Sequence, residues 1–152
     1  MIGLWVFLHI IGFTMWIGGG LAAMVAGIVS KREDRAGLGA VVRAQAAVQK
    51  TLVAPGALLT VLSGLMLTFA VTNLKGGAAG FSLWLMLMQG AGIVGALIVL
   101  MVGLPTASKL ARIDPLGPNA AYFDELRQRQ RITSSIAGVF ALVALVGGAV
   151  LA

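Results

Sequence analysis

Four stretches without a charged side chain limit what this chain can fold into: residues 1–30, 51–74, 76–108 and 132–152. A helix needs about 20 apolar residues to cross the hydrocarbon layer, where backbone amides must be satisfied within the protein. Each stretch is long enough. With 59% hydrophobic and 11% charged residues, the composition also lies outside that of a soluble globular domain. The sequence therefore reads as an all-α integral membrane four-helix bundle, a single transmembrane domain over residues 1–152, with spans at about 2–30, 51–72, 81–105 and 132–152.

The net charge of +6 sits in two places. Lys31, Arg32, Arg35, Arg43 and Lys50 lie between spans one and two, and Lys109, Arg112, Arg127, Arg129 and Arg131 between spans three and four. Lys75 alone lies between spans two and three. This placement is topogenic, so nucleic acid is not the expected partner. Both basic loops are expected in the cytoplasm and both termini outside, in a multi-pass protein of a bacterial inner (plasma) membrane. No basic residue precedes the first apolar run, so it is expected to stay as helix one and not to be cleaved as a signal peptide. The absence of cysteine excludes disulfides, thiolate metal sites and iron–sulfur ligation.

The one histidine, His9, lies inside the first charge-free run. Trp5, His9, Gly12, Trp16, Gly19 and Ala23 recur at intervals of four and three, which makes one stripe on a helix. An imidazole and an indole N–H need polar partners, so the stripe is expected to face protein. Its glycines would let a neighbouring backbone or a flat ligand come close. Thr60, Ser63 and Thr68 supply hydroxyls in span two, which usually bond back to their own helix. Gln89 in span three lies at nearly the depth of His9, as an interhelical hydrogen-bond donor. Pro55 is expected either to start a helix or to kink one. Residues 35–52 read either as an amphipathic lead-in with Leu38, Val41, Val42, Gln45, Val48 and Leu52 on one face, or as a solvated loop. Residues 73–80 read as a glycine-rich external link. In the last helix, Glu125 with Arg129 and Asp124 with Arg127 are spaced to pair.

The chain also divides into halves that each read tryptophan, inward span, basic loop, outward span. Superposing Trp5 on Trp84 sets His9 opposite Met88 and Gly12 opposite Ala91. Histidine and methionine form a known axial pair for haem iron. His9 is therefore either a structural group bonded to Gln89 or a hydroxyl, or a ligand. Met88 is either core filling or a second ligand.

The pattern His9, Trp16, Gly18-Gly19 on a first helix ending in basic residues resembles the first span of copper-resistance protein D-like proteins and of HemJ-type protoporphyrinogen oxidases. It is closest to an uncharacterised family of small integral membrane proteins. The resemblance is specific over residues 5–20 and architectural elsewhere. It implies a haem-binding role for His9. The lysine that HemJ-type enzymes carry in the third span is replaced here by Met88 and Gln89, and no span offers a carboxylate or lysine as proton acceptor. That pattern points away from an enzyme.

Three expectations follow. The chain binds one b-type haem through His9, with Met88 as second metal ligand and Gly12, Trp16 and Gln89 around the cofactor, for electron transfer or haem handling. Alternatively it is a non-catalytic scaffold or accessory subunit, as a homo-oligomer or in a larger membrane complex. The third is HemJ-like porphyrinogen oxidation.

Overall fold

The computed structural model describes residues 2–74 and 82–151; the expected external link lies mostly outside the described residues. Among them the chain is helical, and four of its helical segments are long and apolar enough to cross a membrane. The fold is an all-α four-helix bundle, as its charge-free runs require.

Helix α1, Ile2–Val29, ends where the apolar run ends, in a 3₁₀ turn at Ser30–Arg32. The side chain of Asp34 then accepts from the Gly37 amide at 2.7 Å and caps α2, Arg35–Val48. This settles the choice for residues 35–52 in favour of an amphipathic helix, which buries Leu38 and Val42 against Leu110, Phe123 and Leu126. Leu52, expected on the same face, is exposed. The reason is a π-turn at Gln49–Val53, which adds a residue to the turn and shifts the phase of everything after it.

That π-turn also answers the question posed by Pro55. A proline has no amide proton, and its ring crowds the carbonyl four residues back. Here the bonding pattern widens just ahead of it, with the Ala54 amide donating to the Gln49 carbonyl. The helix then runs on as α3, Ala54–Leu74, neither starting nor breaking at the proline. The same arrangement recurs further along the chain. Helix α4, Leu83–Ile98, is capped by the Ser82 hydroxyl and passes through a π-turn at Val99–Gly103, where the Leu104 amide donates to Val99. Pro105 follows in α5, Leu104–Leu110. Helix α6, Ala120–Leu151, begins well before the expected membrane entry near residue 132.

The expected pairs within α6 are not what forms. Asp124 instead meets Arg35 of α2, Nη2 to Oδ2 at 2.7 Å, the one ion pair among the described residues. Arg35 also donates to the carbonyl of Pro115. Arg127, before the apolar part of α6, donates to Ser30 Oγ at 2.8 Å. Burial first, and Arg131 next, push its pKa below the ordinary guanidinium value, while Asp124 pulls the other way.

In the bundle α1 packs chiefly along α3 and α4 along α6, with a narrower seam between α3 and α4. Trp16, Ala57, Ala96, Val99, Ala137 and Ala141 make the central core. Large apolar side chains cover the outside instead, including Phe69, Leu83 and Met101, the last 72% exposed. Such a surface is suited to acyl chains, not to water.

Alanine at Gly56 would place its Cβ 2.7 Å from both the Gly12 carbonyl oxygen and the Trp16 amide nitrogen, and alanine at Gly12 2.8 Å from the Thr60 amide. Backbone cannot give way as a side chain does. Each substitution should therefore lower unfolding stability in detergent by about 3 kcal/mol. Gly18→Ala, with nothing within 4 Å of the new methyl, should leave it unchanged.

Candidate functional site

His9 is placed by the α1–α3 contact. Gly12, one turn further along α1, is so close to Gly56 and Thr60 that the imidazole falls on the surface of α3 between Thr60 and Gly64. A Cβ on Gly64 would lie 3.0 Å from His9 Cε1, so glycine there is the seat of the ring. His9 Nδ1 lies 2.9 Å from the Thr60 carbonyl oxygen and 3.3 Å from Ser63 Oγ. A carbonyl only accepts, so Nδ1 carries the proton. The Ser63 hydroxyl spends its own proton on the Leu59 carbonyl at 2.5 Å and can accept from the imidazole. In the neutral ring, Nε2 then holds the lone pair, and it has no hydrogen-bond partner among the described residues.

The expected stripe on α1 is the face that packs. Gly12, Trp16 and Gly19 are its buried residues, and Trp5, His9 and Ala23 are half-buried. Gly19 is matched by Val53, and the Ala23 carbonyl accepts from Gln45 at 2.7 Å. The space beside these glycines is filled by α3 and by the π-turn that leads into it. Trp16, 3% exposed, crosses the bundle, and its ring edge lies 3.1 Å from where a Cβ on Gly95 would stand. Phe13 packs edge-on against it, ring centres 6.4 Å apart.

Gln89 is an interhelical donor as expected, but its partner is Thr68 Oγ1 on α3, not His9. Thr68 in turn donates to the Gly64 carbonyl at 3.0 Å. Hydroxyls of α3 thus bond back to their own helix and serve neighbours on both sides, His9 from α1 and Gln89 from α4. Met88 goes elsewhere. A Cβ on Gly148 of α6 would lie 3.3 Å from its sulfur, and one on Gly147 3.2 Å from its Cβ. His9 and Met88 each lie against a glycine of the helix beside them, Gly64 of α3 for the first and Gly147 and Gly148 of α6 for the second, so the two side chains have different neighbours. Two grooves on the bundle surface, one beside Trp84 and Val143 and one beside Lys109 and Tyr122, are lined by other residues than His9. No group of three or more His, Asp or Glu side chains is gathered for a metal among the described residues.

Sequence reasoning passed over a second polar centre, at the end of the bundle that carries the π-turns. The two π-turns approach each other there: a Cβ on Gly103 would be 3.1 Å from Gln49 Nε2 and 3.9 Å from the Thr133 methyl. Gln49, Thr106 and Thr133 are buried, and Gln130 Oε1 is a buried oxygen without a partner. The prolines at 55 and 105 were the available signal, since each forces an adjustment in the turn before it.

Removing the imidazole in His9→Ala should lower stability by about 1 kcal/mol, the scale of an interhelical hydrogen bond in a membrane. Gly64→Ala, which displaces the ring, should do likewise. Gln130→Leu should leave the melting temperature unchanged or raise it, because it removes an unbonded buried oxygen. Thermal unfolding in one detergent compares all three.

Comparison with protein-family models, curated proteins and solved structures finds no match to this chain.

Proposed function

We propose that this chain is a non-catalytic scaffold or accessory subunit of a membrane assembly, and that His9 serves to lock α1 onto α3. The observation that carries this reading is the use made of the small residues. Gly12, Gly19, Gly56, Gly95 and Gly147 are consumed by close packing inside the bundle, whereas Thr14, Gly18 and Ala22 form a second small-residue row on the exposed side of α1. In lipid, helices associate by close approach of such surfaces, not by the hydrophobic effect. The exposed row suits another membrane helix, from a second copy or a larger complex. The two basic loops favour an inner bacterial membrane with both termini outside.

A second reading has a specific observation in its favour. Nδ1–H on a backbone carbonyl with Nε2 left free is the arrangement that orients a metal-bound histidine. A b-type haem could be ligated by Nε2 with the other axial ligand supplied by a second copy. Porphyrinogen oxidation has no comparable support.

Cysteine introduced at Thr14, in a chain otherwise free of cysteine, should cross-link in native membranes to a second copy or another membrane protein, and Gly18→Leu should abolish the product. A chain that stays monomeric in membranes and gives no cross-link defeats the scaffold reading. An absorbance spectrum of the same preparation separates the alternative. A Soret band lost in His9→Ala would establish haem, and a colourless protein expressed with ample haem would dismiss it.

A further inference from the structure

The basic residues near the inner end of the bundle are not all used to tie its parts together. Arg35 and Arg127 are committed to tying α2 and the 3₁₀ turn after α1 to α6. Lys109 and Arg129 are different: both are exposed, and neither forms an ion pair among the described residues, although Glu125 lies one turn before Arg129. They flank a groove of about 190 Å³ whose other walls include Tyr122, Leu126, Val102 and Met101.

The groove is built from two helix faces. Val102, Thr106 and Lys109 recur at four and three residues along one segment, and Tyr122, Leu126 and Arg129 do so along α6. Lys109 is the first charge after the apolar run of residues 76–108, and Arg129 lies just before the run that starts at 132. The groove therefore straddles the level where hydrocarbon gives way to water. Its walls at that level carry the two cations and Tyr122. Met101, 72% exposed, and Val102 continue it along the apolar span. No carboxylate lines it.

We infer that this groove is a binding site for an anionic phospholipid, with the phosphodiester head group held by Lys109 and Arg129 and the first part of an acyl chain lying on Met101 and Val102. Two cations outside any ion pair among the described residues, on a groove that no carboxylate lines, complement one phosphate. A lipid is favoured over a soluble anion because the apolar wall runs on toward the hydrocarbon. This site stands apart from His9 and from the exposed face of α1, so it does not depend on the scaffold reading.

The test uses the full chain purified in a neutral detergent and titrated with phosphatidylglycerol, phosphatidylcholine or inorganic phosphate, with bound lipid read by native mass spectrometry and stability by thermal unfolding. Phosphatidylglycerol should be retained and raise the melting temperature, and phosphatidylcholine should do neither. Combined Lys109→Gln and Arg129→Gln should weaken phosphatidylglycerol binding by about tenfold or more. Arg43→Gln with Arg112→Gln, at basic positions outside the groove, should leave it unchanged. Should the first pair of changes impair folding, Met101→Ser provides the second reading, with weaker lipid retention expected. Equal binding of phosphatidylcholine, equal loss in the Arg43 and Arg112 variant, no loss in Met101→Ser, or equal effect of inorganic phosphate would each overturn the assignment.

Discussion

The backbone contact between Gly12 and Gly56 is the constraint from which the half of the molecule around His9 follows. Once α1 and α3 touch without side chains between them, their neighbours have little freedom. The histidine one turn away must lie on α3, its Nδ1 within reach of the Thr60 carbonyl. Trp16, one turn the other way, is directed across the bundle toward Gly95. The same closeness fills the space that glycines on a helix face could have left for a flat ligand. A stripe of small residues with a histidine can serve either packing or cofactor binding, and the partner helix decides between them.

The spans were legible because hydrocarbon imposes a length and excludes charge, and those two facts can be counted along a sequence. The packed face of α1 was legible too, from Trp5 to Ala23, because helical periodicity sorts residues by face. What could not be read was the identity of the opposing surface. Nothing about Met88 in isolation distinguishes a sulfur directed at a centre from one resting on Gly148. Asp124 has an arginine three residues away on its own helix, yet it bonds to Arg35. Local spacing shows which pairs are possible, and tertiary structure chooses among them.

The two halves share an arrangement without sharing a sequence. In each, one long helix lies along the next, and a side chain of the first rests on glycine of the second: His9 on Gly64, Met88 on Gly147 and Gly148. The difference lies in polarity. The first pair is stitched by an imidazole, hydroxyls and a carbonyl, whereas the second has Gly147 against the backbone of Trp84 and Met88 and Gly148 against the Met88 sulfur. Gln89 joins them by reaching from α4 to Thr68.

Each π-turn is one residue of surplus in a helical screw, and a residue of α-helix corresponds to about 100° of rotation. The apolar part of the second segment can thus present Gly56 and Thr60 to α1, while α2 turns Leu38 and Val42 toward Phe123 and Leu110. Neither angular setting dictates the other. Deleting a single residue from Gln49–Val53 would restore ordinary winding and force the two ends into one phase, so that either the glycine seam or the apolar cluster around Phe123 would have to come apart.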